Sequence, residues 1–149
     1  MGVVDPLELQ PLTDPADPDD WRPSSRWAFA SDPGASLAAI VEEIAPGDRI
    51  PLHRHRIDEV IFYESGSAEV RIGDQRSRVG PGSIAFIPAG EPHGTTNIGE
   101  EPVQIRAVFP SHVVDIEYLE RNPAPGTDGA PPQPPVSYDT RTGEITSQQ

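Results

Sequence analysis

Residues 47–66 read GDRIPLHRHRIDEVIFYESG and contain two of the four histidines in the chain. His53 and His55 are separated by one residue, and Glu59 follows His55 by four positions. On a β-strand, residues two apart point to the same face, so both imidazoles would lie on one side. Glu59 has the same parity and shares that side if the chain stays extended or bends smoothly through residues 56–58. Two neutral imidazoles and a carboxylate suit a divalent first-row metal ion.

A second stretch, GSIAFIPAGEPHGTTN at residues 82–97, supplies a third imidazole. His93 follows the turn PAGEP, in which Pro88 and Gly90 favour a sharp change of chain direction. We expect His93 to face the His-x-His strand across a barrel, which gives three histidines and one glutamate with positions left open for water or substrate. An isolated His-x-His pair is more often a surface or core feature, so the prediction depends on the combination of the two stretches.

The region from residue 26 to residue 110 is rich in short β-prone segments that are separated by Gly and Pro. Turns are predicted at 32–34, 64–67, 73–74 and 80–82. Many short strands at near-regular spacing predict an all-β sandwich or barrel. No sustained helical period occurs before Pro110. The candidate strands are residues 26–30, 36–45, 58–64, 67–72, 75–79, 83–88, 92–97 and 103–109.

Residues 111–121, SHVVDIEYLER, fit two interpretations. Val114, Ile116 and Tyr118 alternate as in a strand, whereas Ser111 could cap a short helix. Because the segment is rich in β-branched residues, we favour a strand.

Both stretches resemble the motifs of the cupins. Residues 47–66 are similar to the first motif, which is Gly, five residues, His-x-His, three residues, Glu, six residues, Gly. Residues 82–97 are similar to the second motif, which is Gly, five residues, Pro-x-Gly, two residues, His, three residues, Asn. Every spacing is met. The matching residues are Gly47, His53, His55, Glu59, Gly66, Gly82, Pro88, Gly90, His93 and Asn97.

The resemblance implies a single cupin domain, which is a double-stranded β-helix or jelly-roll barrel. It also implies that His53, His55, Glu59 and His93 bind one divalent transition metal, which in this family is Fe, Mn, Zn, Ni or Cu. Family reactions include dioxygenation, decarboxylation, isomerisation and lyase chemistry, and some members only store or bind small molecules. Fold alone therefore does not select a function.

The predicted inward-facing residues suggest an apolar substrate pocket. If the apolar sets on each strand face inward, the wall is mostly aliphatic and aromatic, which suits an apolar or aromatic small molecule. Tyr63 would be the polar exception and a candidate proton donor. An apolar stripe inside a barrel is more often core packing than a pocket wall. The predicted wall residues are Ile61, Val70, Ile72, Phe86, Ile105 and Phe109.

The composition narrows the class of partner. The formal net charge is −13, with 24 acidic and 11 basic side chains, and such a surface repels phosphate backbones and anionic membranes. We therefore expect no nucleic acid and no membrane as partners. The chain has no cysteine, which excludes disulfides and thiolate metal sites and fits a reducing compartment. The acidic, Pro-rich N-terminal stretch does not resemble a secretory signal, so we predict a soluble cytoplasmic protein.

The chain is expected to divide into three parts. Residues 1–25 are predicted to form an irregular arm, residues 26–110 the barrel, and residues 111–149 an irregular, Pro-rich extension with six prolines between positions 123 and 135. Trp27 and Phe29, together with the C-terminal arm, are expected to pack on the barrel or on a partner copy. A homodimer is therefore predicted, the alternative being a monomer with two disordered tails.

Two classes of function remain open from the sequence. The first is a metal-dependent enzyme acting on a small organic molecule, with dioxygenase chemistry slightly ahead of isomerase, decarboxylase or lyase chemistry. The second is a metal-dependent binding module without turnover. We favour the enzyme over the binding module. Retention of all four ligand positions argues against a third possibility, a purely structural barrel.

Overall fold

Strands with alternating burial form nearly all of the regular structure. The computed structural model describes residues 2–5, 7–11, 25–121, 126 and 129–147, and within them it contains thirteen β-strands and no helix. The strands are β1 (Gln10–Pro11), β2 (Arg26–Ser31), β3 (Ala38–Ile44), β4 (Arg49–Arg54), β5 (Glu59–Ser65), β6 (Ala68–Ile72), β7 (Gln75–Val79), β8 (Ile84–Ile87), β9 (His93–Asn97), β10 (Val103–Phe109), β11 (Val113–Tyr118), β12 (Val136–Asp139) and β13 (Ile145–Ser147).

The strands form two antiparallel sheets that face each other. One has six strands in the order β1-β2-β3-β10-β5-β8, and the other has seven in the order β13-β12-β11-β4-β9-β6-β7. Strand β10 shows why they pack, because Val103, Ile105, Ala107 and Phe109 are buried while the residues between them are more exposed. This period of two places one apolar face inward. The predicted all-β jelly-roll barrel is confirmed.

The core lies between the sheets and contains mostly aliphatic side chains. Ile44 and Val103 are completely buried, and they pack with Ile61, Val70 and Phe109. Asn97, the last residue of the second motif, is a buried polar residue among them. Its amide nitrogen donates to the carbonyls of Ile44 and Glu101, and its side-chain oxygen accepts a bond from the Gly99 amide. Asn97 therefore closes the loop between β9 and β10 without leaving a buried polar atom unpaired.

Most predicted strands match the observed ones to within two residues at each end. The strand prediction for residues 111–121 is confirmed by β11. The list of candidate strands omitted β4, although the His-x-His argument assumed a strand there. Gly66, in the predicted turn at 64–67, has φ +76°, and a Cβ there would lie 2.6 Å from the carbonyl oxygen of Pro102. Glycine is thus required at this position of the first motif.

The C-terminal arm is more regular than predicted. Strands β12 and β13 extend the seven-stranded sheet beyond β11, so the expectation of an irregular extension is wrong for residues 136–139 and 145–147. These segments form strands because Val136 and Tyr138 can pair with β11 and cover apolar surface there. Residues 12–24 of the N-terminal arm, together with 122–125 and 127–128 of the Pro-rich segment, lie outside the described residues. The predicted domain boundaries stay predictions.

Among the residues that the structure describes, no helix is long and apolar enough to cross a membrane.

Candidate metal centre

Four buried side chains converge inside the barrel. One ligand atom from each of His53, His55, Glu59 and His93 lies within 4.8 Å of the others. The Nε2 atoms of His55 and His93 lie 3.2 Å and 2.8 Å from the same carboxylate oxygen, Oε2 of Glu59. The structure thus brings together the whole set that the motifs indicated, and this group could hold one metal ion.

The two sheets contribute to the group unequally. His53 in β4 and His93 in β9 are directly opposite each other on neighbouring strands. His55 follows the last residue of β4, and a bend at residues 56–57 then carries the chain into the six-stranded sheet, where Glu59 begins β5. The expectation that His93 faces the His-x-His strand across the barrel is therefore wrong. His93 lies beside that strand, and Glu59 is the member of the group that approaches from the other sheet.

Backbone carbonyls fix the orientation of all three imidazoles. Nδ1 of His53 lies 2.7 Å from the carbonyl oxygen of Pro51, and Nδ1 of His93 lies 2.9 Å from that of Glu91. Nδ1 of His55 is bonded to the carbonyl oxygen of Asp115 in β11. A carbonyl can only accept, so each Nδ1 carries the proton and donates it. Each Nε2 is consequently left to face the centre.

The surroundings of His53 keep its imidazole neutral, so it can bind a metal ion without first losing a proton. Burial, reinforced by the neighbouring His93 and His55, lowers the pKa of His53 well below its ordinary value of 6.5. Burial also opposes the charged forms of His55 and Glu59, but their shared hydrogen bond outweighs it. The pKa of His55 is raised, and the hydrogen bonds from His55 and His93 hold the pKa of Glu59 far below its ordinary value of 4.5.

The donor set fits a divalent transition metal. An Nε2 that faces a carboxylate oxygen carries either a proton or a metal ion, because two bare lone pairs would repel each other. The Nδ1–H bonds to carbonyl oxygens are the outer contacts that metal-bound histidines normally make. Three imidazoles and one carboxylate give a borderline-soft N/O set, which suits Fe, Mn, Zn, Ni or Cu.

A cavity of about 90 Å³ adjoins the four residues. This volume has room for several water molecules or part of a small organic ligand. Ile61, Ile105 and Phe109 lie on its wall, as the sequence suggested. Their role as substrate contacts stays a prediction.

Three predicted wall residues lie elsewhere. Phe86 is 74% exposed, because β8 points Ala85 and Ile87 inward and Phe86 outward. Val70 is in the core and Ile72 packs against that core. Both are in β6, on the far side of β9 from β4, so His93 and Thr95 stand between them and the cavity.

Tyr63 is inside the barrel but is not on the cavity wall described here. Its hydroxyl is buried and lies 2.8 Å from Oγ1 of Thr95, which itself lines the cavity. Burial raises the pKa of Tyr63 to about 12, so the phenol stays protonated at neutral pH. The role of Tyr63 as a proton donor to substrate stays a prediction.

Sequence reasoning missed the polar and aromatic part of the wall. Glu42 of β3 lines the cavity with only 8% of its surface exposed, and Tyr118 of β11 lies with its ring centroid 6.1 Å from that of His53. Trp27, Phe29 and Tyr138 complete this part. The alternation of strands 36–45 and 111–121 contained the signal for Glu42 and Tyr118, but the pairing of these strands with the motif strands was not known.

A family model for the cupin domain matches residues 40–109. Among curated proteins, dimethylsulfoniopropionate lyase DddQ of Ruegeria pomeroyi is 43% identical over 68 residues, which are 45% of this chain and 32% of that protein. An uncharacterised protein of Streptomyces coelicolor is 36% identical over 55 residues, or 37% of this chain and 51% of that protein. The chain thus spans between a third and a half of the length of these relatives.

Solved structures share the fold at low sequence identity. Oxalate decarboxylase OxdC of Bacillus subtilis has a TM-score of 0.59 at 21% identity, covering 64% of this chain and 28% of that one. The cupin domain of Cnp3 from Schizosaccharomyces pombe has a TM-score of 0.58 at 20% identity, covering 71% of this chain and 69% of that one. One structure of the decarboxylase concerns its Mn(II) centres.

Removing one imidazole should empty the site while the barrel remains folded. We expect His53→Ala to weaken metal binding by more than about 100-fold. Loss of a residue that only hydrogen-bonds to a metal ligand costs up to about 100-fold, and His53 is predicted to bind the metal directly. Metal analysis of protein purified without a metal-affinity tag checks this, with circular dichroism as the test of folding. His112→Ala is the control, because His112 is outside the group. Full metal content in folded His53→Ala would contradict the site.

Metal affinity should fall as the pH drops below about 7. The pKa of His55 is raised above 6.5, so this imidazole already binds a proton in weakly acidic solution. The metal must displace that proton in order to bind. Glu59 does not compete in this range, since its pKa is lowered. We expect the affinity to fall about tenfold per pH unit for each proton displaced. Chelator competition at several pH values measures this, and a flat affinity from pH 7.5 to 5 would rule out histidine ligation.

Proposed function

We propose that this chain, in which residues 40–109 form a cupin domain, is a metal-dependent lyase that acts on a small organic carboxylate. The observation that carries the proposal is the convergence of His55, His93 and Glu59 on one point beside a cavity. A purely structural barrel has no need to bury three imidazoles and a carboxylate together.

The choice of lyase over oxygenase is supported by the comparisons. The curated relative at 43% identity is a lyase acting on dimethylsulfoniopropionate, a carboxylate. A metal ion held by His53, His55, Glu59 and His93 would supply a Lewis acid for the substrate carboxylate. Because the match covers only a third of that protein, its substrate is a starting point for assays here.

The chain supplies groups that can handle a proton in such a reaction. An elimination needs a base that takes a proton from the carbon next to the carboxylate while the leaving group departs with its bonding electrons. Of the phenols on the described wall, Tyr118 has a ring contact with the metal group, through His53. We assign Tyr118, acting as its phenolate, to this proton transfer, in place of Tyr63.

Dioxygenase chemistry is the second candidate. The apolar part of the wall favours dioxygenase chemistry, since an apolar cavity suits an apolar or aromatic substrate. This part contains Ile61, Ile105 and Phe109. A binding module without turnover is the remaining alternative. The cytoplasmic location stays a prediction.

The proposed assembly is a homodimer. Phe62, Ile84 and Phe86 are exposed on the outer face of β5 and β8, and β8 is an edge strand of its sheet. Strand edges and apolar patches of this kind favour pairing, and a second copy can pair through the same patch with two-fold symmetry. Trp27 and Phe29, which were expected to pack on the barrel or a partner, contact Tyr138 of the same protomer.

Activity assays test the reaction class. Metal-loaded protein should release product from dimethylsulfoniopropionate or another small carboxylate without consuming oxygen. Tyr118→Phe should lower kcat/KM by about 100-fold or more, with metal content unchanged. Tyr63→Phe is the matched control, because that hydroxyl is behind Thr95, and it should stay within a few-fold of the parent.

The other functions give different results in the same assays. Oxygen uptake matched to substrate loss would indicate a dioxygenase. Substrate binding without turnover would indicate a binding module. Full activity in Tyr118→Phe would remove Tyr118 from the mechanism while leaving the lyase intact.

The dimer is tested by light scattering. We expect a dimer mass at micromolar concentration and a monomer mass for Phe86→Asp, because an aspartate at this exposed position puts a charge into the apolar patch. A monomer mass for the parent protein at that concentration would end the dimer proposal.

A further inference from the structure

Three aromatic rings, from strands that precede and follow residues 40–109 in the sequence, meet on the cavity wall. Trp27 and Phe29 lie two apart in β2 and point to the same side, and Tyr138 comes from β12. The ring centroids of Trp27 and Phe29 are 4.2 Å apart at an interplanar angle of 83°. Tyr138 is 5.4 Å from Phe29 and 6.1 Å from Trp27, at 44° and 68°. The rings are therefore inclined to one another and do not form a stack.

A carboxylate stands beside these rings. Glu42 in β3 is directly opposite Trp27 in β2 and opposite Ile105 in β10. Residues opposite each other on paired strands project to the same side of a sheet, so the carboxylate and the indole share one face. Glu42 is 8% exposed and lines the same cavity. This part of the wall combines an acidic group with aromatic surface.

We propose that Trp27, Phe29, Tyr138 and Glu42 bind an onium group of the substrate, that is, a quaternary ammonium or sulfonium cation. A methylated cation offers no N–H donor, so it is held over aromatic faces, within about 6 Å of the ring centroids. A nearby carboxylate compensates its charge inside an apolar wall. The net charge of −13 also raises the local concentration of cations over that of anions.

The position of this onium site suits one end of a small substrate. Strand β12 is two strands from β4, because β11 lies between them. Two strand spacings correspond to roughly 10 Å. Tyr138 is opposite Val114 in β11, whereas His53 is opposite Tyr118, so the two residues are also displaced along the strands. Both line one cavity, so they mark different parts of its wall. The inference rests on the proposed function, since it gives the carboxylate substrate a cationic group at its other end.

A matched pair of ligands tests the charge requirement. Choline and 3,3-dimethylbutan-1-ol have nearly the same shape, but only choline carries a positive charge. Calorimetry with metal-loaded and with metal-free protein should show choline binding at least tenfold more tightly than the neutral alcohol in both forms. Equal or tighter binding of the alcohol would show that the wall is merely apolar, and failure of choline to bind either form would also overturn the proposal.

Variants locate the bound cation. Glu42→Gln and Trp27→Leu should each weaken choline binding by about 3- to 30-fold. Glu43→Gln is the control, because Glu43 is the next residue of β3 and points to the opposite face. Tyr138→Leu, on a strand outside the cupin domain, gives a second test if Trp27→Leu does not fold. Parent-like choline affinity in folded Glu42→Gln and Tyr138→Leu would overturn the assignment.

Failure of the proposed function would be seen separately. Loss of metal binding by the parent protein, or absence of turnover with every carboxylate, would remove the lyase and leave the choline result unaffected. Failure of the parent protein to bind choline, with metal content and turnover of a carboxylate still measured, would overturn the onium site and leave the lyase proposal standing.

Discussion

The contact of one carboxylate oxygen of Glu59 with the Nε2 atoms of both His55 and His93 is the constraint that relates the two sheets. Glu59 comes from the six-stranded sheet, His93 from the seven-stranded one, and His55 from the segment that connects them. A charged group buried at this depth is stable only when its partners are within hydrogen-bonding distance. Sheet spacing, the bend at residues 56–57 and the start of β9 must all satisfy that distance. The cavity beside this point is lined by side chains from the same two sheets, so its shape depends on the same spacing.

The sequence was sufficient for the barrel and for the four convergent residues. Period-two alternation and Gly- and Pro-rich turns predicted most strands, and fixed motif spacings selected His53, His55, Glu59 and His93. It was not sufficient to predict from which strand each side chain approaches the centre, because parity along one strand does not reveal which strands become neighbours. His93 was placed across the barrel for that reason, although β9 pairs directly with β4.

The wall of the cavity was harder to predict than the ligands. Hydrophobicity alone put Phe86 inside, but the phase of β8 turns it to solvent. Glu42 was overlooked because a charged residue in a strand is normally assigned to the solvent face, and Tyr138 because it follows a Pro-rich segment. Both positions depend on long-range strand pairing, which β2 with β3 and β11 with β12 provide. Such pairing is a property of the folded chain and is not encoded in any short window.

The candidate metal centre and the aromatic part of the cavity wall come from different segments of the chain, which has an evolutionary consequence. The four residues of the candidate metal centre lie within residues 40–109, whereas Trp27, Phe29, Tyr118 and Tyr138 come from segments before and after that range. Flanking segments can be exchanged, lengthened or lost without altering the spacing of the motifs. Changes in these flanking strands can therefore alter the cavity wall while the spacing of His53, His55, Glu59 and His93 stays the same. Grafting strands β2 and β12 onto another barrel of this kind would be a direct way to transplant a preference between scaffolds.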